Sequence, residues 1–147
     1  METKEINAKY DVWLNAENMH RDSRNWLSEL EFAKDEELFL DDLIKSYTLQ
    51  LIDSKHFAES KKVIDKLSKI QKETDALLEI VKNHEKGLSI MVDGINEFDK
   101  EKAFKNKHVK LIINVKNFLD RYKTIKTELF TVVKGVLKEG KQKRLLE

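Results

Sequence analysis

No cysteine occurs among the 147 residues. Disulfides, thiol nucleophiles, CxxC redox chemistry and thiolate metal sites are thereby excluded. Proline is absent as well, and there are only four glycines. Proline breaks helix interiors, and glycine costs about 1 kcal/mol there relative to alanine. A chain short of both is expected to form long helices with few loops. The N-terminal stretch METKEINAKYDVW lacks the apolar segment of a signal peptide, and no apolar run is long enough for a transmembrane helix. A cytoplasmic protein with no membrane span is the expectation.

Hydrophobic residues make up 40% of the chain and charged residues 37%. The first figure is high for a disordered chain and low for a thick core. A slender helical bundle fits both. The net charge of +1 conceals an asymmetry. Residues 17–53 hold ten acidic and four basic residues, residues 57–93 hold seven of each, and residues 101–147 hold five acidic and thirteen basic. An acidic helix lying beside a basic one accounts for this pattern. The alternative is a basic stripe for an anionic ligand. Few exposed aromatics interleave with the basic residues, so nucleic acid is not an expected partner.

Apolar residues recur at heptad spacing in three segments. The first stripe is Met19, Ser23, Trp26, Leu30, Ala33, Glu37, Leu40, Ile44, Tyr47 and Leu51. Its phase passes unchanged through the acidic run KDEE, so one helix is expected over about 16–53. The second stripe is Val63, Leu67, Ile70, Thr74, Leu77, Val81, His84, Leu88, Met91 and Ile95, on a helix over about 57–93. The third is Phe104, His108, Leu111, Val115, Phe118, Tyr122, Ile125, Leu129, Val132 and Val136, over about 101–138. Asp53 or Ser54 can cap the second helix, and Asp99 the third. Residues 1–15 read as an N-terminal extension that either frays or prolongs the first helix, since Val12 and Ala16 stay in phase, and 139–147 as a loose basic tail. Each helix of about 37 residues would span roughly 55 Å. Short links make neighbours antiparallel, so the expected fold is a single all-α domain. It is an up-down-up bundle of three long helices with a coiled-coil-like seam. Glu37 interrupts the first stripe; it is expected to snorkel to the seam edge. The alternative is a buried carboxylate.

The pattern H-x5-W-L-x-E-L-x-F-x-K-D-E, from His20 to Glu36, resembles the first helix of a family of small bacterial helical proteins. His84–Glu85 and the run His108, Leu111, Phe118, Tyr122 extend the likeness. Ala33 and Glu37 stand where the family has an aromatic and a leucine. The resemblance implies a three-helix fold and no particular activity. The architecture is also similar to a spectrin-type repeat, by fold analogy alone.

Candidate chemistry rests on the four histidines. His56 falls in the first link and reads as a solvated loop residue. Antiparallel bookkeeping sets His20 level with about residue 90 and His108 level with about residue 89, with His84 roughly 8 Å away along the axis. His20, His84 and His108, with Glu17 or Glu85, are therefore candidate ligands for a divalent metal such as zinc, iron or nickel. Glu17-x-x-His20 is the one Glu-x-x-His pair, too few for a di-iron site. The alternative is a hydrogen-bonded polar layer that fixes register. Catalysis is not expected. Ser23, His84 and a carboxylate would make a nonspecific triad, there is no phosphate-cradling glycine loop, and a loop-poor bundle offers little concavity.

Trp26 is expected in the core. Trp13, with Leu14, Tyr10 and Val12, lies near or before the start of the first helix and reads as an end cap or an anchor for a partner chain. Phe39 and Leu43 on the first helix lie off the main stripe, as do Ile112, Ile113, Leu119, Phe130, Val133 and Leu137 on the third. This excess favours close packing or a second subunit. The functional expectation is a non-enzymatic interaction protein that binds itself or a partner protein through a helix face. Metal binding by the core histidines is the first alternative, and anion binding by the basic third helix the second.

Overall fold

A computed structural model describes residues 14–93 and 98–146. Four helices are found among them: α1 (Ala16–Ser46), α2 (Thr48–Asp53), α3 (Phe57–Asp93) and α4 (Phe98–Leu146). No strand occurs among the described residues. No described helix is long and apolar enough to cross a membrane. Trp13, Tyr10, Val12 and Ile95 lie outside the described residues.

Asn15 starts α1. Its side-chain oxygen accepts the Asn18 amide at 2.8 Å and its carbonyl accepts the Met19 amide at 2.9 Å, which satisfies donors the first turn leaves free. The helix runs through KDEE without a break. It ends at Ser46, seven residues before the expected Asp53, and Tyr47 leaves the helical conformation (φ −114°, ψ 20°). Two flanking hydroxyls compete for carbonyls there. Ser46 donates to Asp42 O at 2.8 Å, and Thr48 lies 3.0 Å from Ile44 O and 3.1 Å from Lys45 O. Such back-bonding bends helices. The Tyr47 amide consequently bonds three residues back, to Ile44 O at 3.2 Å. Heptad phase carries no record of this, because Tyr47 and Leu51 keep the apolar rhythm.

Ser54 holds the link to α3 by accepting the His56 amide on Oγ at 2.9 Å. The same hydroxyl donates to Glu139 at 3.0 Å. The tail expected to be loose is helical, since α4 continues to Leu146. No proline stops it, and the helix runs through both Gly135 and Gly140. The start of α4 at Phe98 places Asp99 inside the helix instead of at its cap.

The described residues form two compact units. Unit 1 comprises residues 14–32 and Asp75–Phe118; unit 2 comprises Ala33–Thr74 and residues 119–146. In unit 1, α1 contributes buried Met19, Ser23 and Leu30, α3 contributes Leu78, Val81, His84 and Leu88, and α4 contributes His108, Val109, Leu111, Val115 and Phe118. Leu14, Met19, Leu88 and Val109 make one apolar cluster, with Met91 and Phe104 packed on it. Each such side chain contributes about 1.5–3 kcal/mol through burial.

Unit 2 buries Ala33, Leu40 and Leu51, then Val63, Leu67 and Ile70, then Tyr122, Leu129, Val133 and Val136. Glu37 is buried there as well, at 4% exposure, which corrects the expectation that it snorkels. Its carboxylate accepts the Thr74 hydroxyl at 2.5 Å, a partner that holds it inside. Beside it, Glu36 accepts from Tyr122 at 2.7 Å and from Lys126 at 3.0 Å. Burial, then the Glu36 carboxylate, pushes the Tyr122 phenol upward. Acidic α1 thus faces basic α4 in this unit, as the charge pattern suggested.

Candidate functional site

The polar interior of unit 1 is built from three helices. Met19, Ser23, Trp26 and Leu30 step along one face of α1, and Asp22 borders that face. Ser23 occupies its own hydroxyl by donating to Met19 O at 2.8 Å, so it forms no triad with His84. Asp22 accepts from His108 Nε2 at 3.1 Å. The other nitrogen of His108, Nδ1, lies 3.0 Å from His84 Nε2. Trp26 stacks on His108 with ring centroids 4.7 Å apart, and His84 is 5.5 Å from the Phe104 ring.

Proton bookkeeping orders this chain. A carboxylate only accepts, so Asp22 takes the Nε2 proton of His108. Neutral His108 then presents an Nδ1 lone pair, which accepts the Nε2 proton of His84. His84 is left with an Nδ1 lone pair, and this buried atom has no hydrogen-bond donor among the described residues. Both imidazoles are suited to the neutral form. Burial, reinforced by nearby His108 and Lys107, pushes His84 down to about 4. Burial also lowers His108, against an opposing pull from Asp22.

The structure gathers His20, His84, His108 and Glu85 in unit 1 but pairs them differently from the sequence-based heights. His20 Nε2 meets Glu85 at 2.8 Å, a partly exposed pair separate from the buried relay. Glu17 is an exposed first-turn residue of α1. His84 and His108 touch directly instead of standing about 8 Å apart. The level of α4 against α3 differs from the reckoning by about five residues: His108 meets His84 where residue 89 was expected, and Phe104 lies against Gly87. Asp22 and Trp26 are the site residues that sequence reasoning missed. Both lie within two turns of His20, the α1 residue that the height argument had already set level with His108. Among the described residues, no group of three His, Asp or Glu side chains is arranged to hold a metal ion. His56, half-buried, makes a 3.6 Å contact with Glu59 and belongs to unit 2.

The defining class is therefore an all-helical protein with buried polar pairs between its helices. Comparison with protein-family models, curated proteins and solved structures finds no match to this chain.

Proposed function

We propose that the protein is a helical interaction module that associates with a second copy of itself through unit 2. One observation carries the reading: large apolar side chains on the off-stripe positions stay exposed. Phe39 is 58% exposed, Phe130 44% and Leu137 45%. Phe130 and Leu137 are seven residues apart and share a face of α4 with Lys134. Phe39 shares its face of α1 with Leu43, near exposed Asp35 and Asp42. An isologous dimer sets the acidic, aromatic face of each α1 on the basic, apolar face of the other copy's α4.

The same proposal takes the helices as an antiparallel up-down-up bundle. Contacts inside unit 2 support it. Glu37 pairs with Thr74 and Asp41 with Gln71, so α3 numbers fall as α1 numbers rise. Glu73 meets Arg121 and Lys66 meets Glu128, the same relation between α3 and α4. Sedimentation equilibrium is expected to give a mass above the 17.3 kDa monomer, concentration-dependent and abolished in the Phe39→Glu/Phe130→Glu variant. A wild-type protein that stays monomeric up to millimolar concentration refutes it.

A second reading is supported by the His84–His108 pair. Two nitrogens on one tetrahedral zinc stand about 3.3 Å apart, close to the 3.0 Å found here. A ligand histidine commonly donates its other N–H to a carboxylate, as His108 can to Asp22. On this reading zinc, nickel or iron(II) raises the melting temperature of tag-free protein, and purified protein carries stoichiometric metal. Substoichiometric metal together with an unmoved melting temperature rejects it.

A further inference from the structure

Unit 1 carries a cleft of about 460 Å³ between α3 and α4, within the size range of small-molecule sites. Its walls differ in chemistry. Ile80, Phe104 and Leu111 form an apolar side; Lys107 and Lys110 supply positive charge. Asn83 and Asn114 add amides at the rim, and His84 completes the lining.

Three features make this more than a surface groove. First, His84 is 5% exposed and is the one buried side chain among the described residues whose ring nitrogen lacks a partner. The relay from Asp22 through His108 fixes that nitrogen as an acceptor. Second, the Phe104 wall depends on a close approach. A Cβ at position 87 would stand 2.4 Å from the Phe104 ring, so glycine is what lets the ring lie against α3. Third, Ile80 leaves 53% of its surface exposed beside the two lysines, apolar area next to charge with no described partner covering it.

We infer that this cleft binds a small organic anion with an apolar body and a hydroxyl or amino donor, the anion held by Lys107 and Lys110 and the donor by His84 Nδ1. The apolar body lies on Phe104 and Leu111. A hydroxyaryl carboxylate has all three parts. Inorganic phosphate lacks the apolar body, and a neutral phenol lacks the charge.

The test uses the full chain, labelled with ¹⁵N, and three probes: 4-hydroxyphenylacetate, phenylacetate and 4-methylphenol. Titration is followed on the His84 imidazole nitrogens and on backbone amides of Asn83, Lys107 and Asn114. The hydroxyl-bearing anion is expected to move the His84 Nδ1 resonance upfield and to bind on the order of tenfold tighter than either analogue. Lys107→Ala/Lys110→Ala is expected to erase its advantage over 4-methylphenol. Ile80→Trp, at an exposed position that preserves the fold, is expected to fill the cleft and remove binding. Absence of saturable shifts with 4-hydroxyphenylacetate overturns the inference. So does equal affinity for phenylacetate, an unmoved His84 resonance, or binding that Ile80→Trp leaves intact.

Discussion

Between pH 6.5 and pH 4 the protein is expected to lose roughly 3 kcal/mol of folding stability through His84 alone. The imidazole titrates at its ordinary 6.5 when the chain is unfolded and at about 4 when folded. In that interval the unfolded chain binds a proton that the folded chain refuses. Stability from this group is therefore complete above pH 6.5, falls as the pH drops and is exhausted below about 4. At 5% exposure, solvent screening discounts little of this figure. His108 works in the same direction, since its value is lowered too. The groups facing the pair come from three helices: Asp22 from α1, Phe104 and Lys107 from α4, and Glu85 one residue along α3, engaged with His20. Urea melts from pH 7 to pH 4 should show the wild type losing this increment relative to His84→Leu/His108→Leu, which retains the other carboxylates and their acid sensitivity. A stability difference between the two proteins that stays flat across the range rejects the neutral-imidazole relay.

Helical class and the buried faces were legible because burial follows period. Met19, Leu30, Ala33, Leu40, Leu67, Ile70, Val81, Leu88, Leu111, Val115, Phe118 and Leu129 all fall on the heptad stripes and are buried. Ends were less legible. The break at Tyr47 depends on which carbonyls the Ser46 and Thr48 hydroxyls choose, and α4 runs to Leu146 because nothing in its sequence stops it. Where two neighbours compete for a seam position, as Leu77 with Leu78 or Val132 with Val133, the second is the more buried, one residue off the stripe.

The histidines show the same division. That His84 and His108 lie inside unit 1 followed from their stripe positions. That they touch, and that Asp22 and Trp26 complete the set, required a link position that heptads do not encode. A shift of about five residues in that reckoning is more than a turn of helix. It separates a histidine cluster around a shared ion from a linear hydrogen-bonded relay. The cleft was invisible for a related reason. It arises where Gly87 admits the Phe104 ring, and a chain poor in loops offers no hint of concavity.

Thr74→Val is expected to cost about 1.5–3 kcal/mol, although it conserves side-chain volume. Thr74 is fully buried, and its hydroxyl donates to Glu37 at 2.5 Å, with the Ile70 carbonyl oxygen 2.8 Å away. Valine fills the space but removes a donor from a buried carboxylate. Charge-assisted hydrogen bonds of this kind stand at the strong end of the range. Glu37→Leu/Thr74→Val replaces both polar groups with apolar ones and is expected to recover most or all of the loss, as exchanges of buried polar pairs commonly do. What the double variant should lose is a single alignment. The pair exists only while Glu37 of α1 stands opposite Thr74 of α3; one heptad of sliding would set Glu37 against Leu67 and take the Thr74 donor from the carboxylate. With leucine at position 37 that penalty disappears, because Leu67 and Ile70 accept leucine as readily as the substituted valine does. Denaturant melts and amide spectra together decide the matter. The expected result is a destabilised single variant, and a stable double variant with more than one set of peaks near residues 37, 67 and 74. A neutral Thr74→Val, or a double variant weaker than the single, would show that this contact neither stabilises unit 2 nor sets its register.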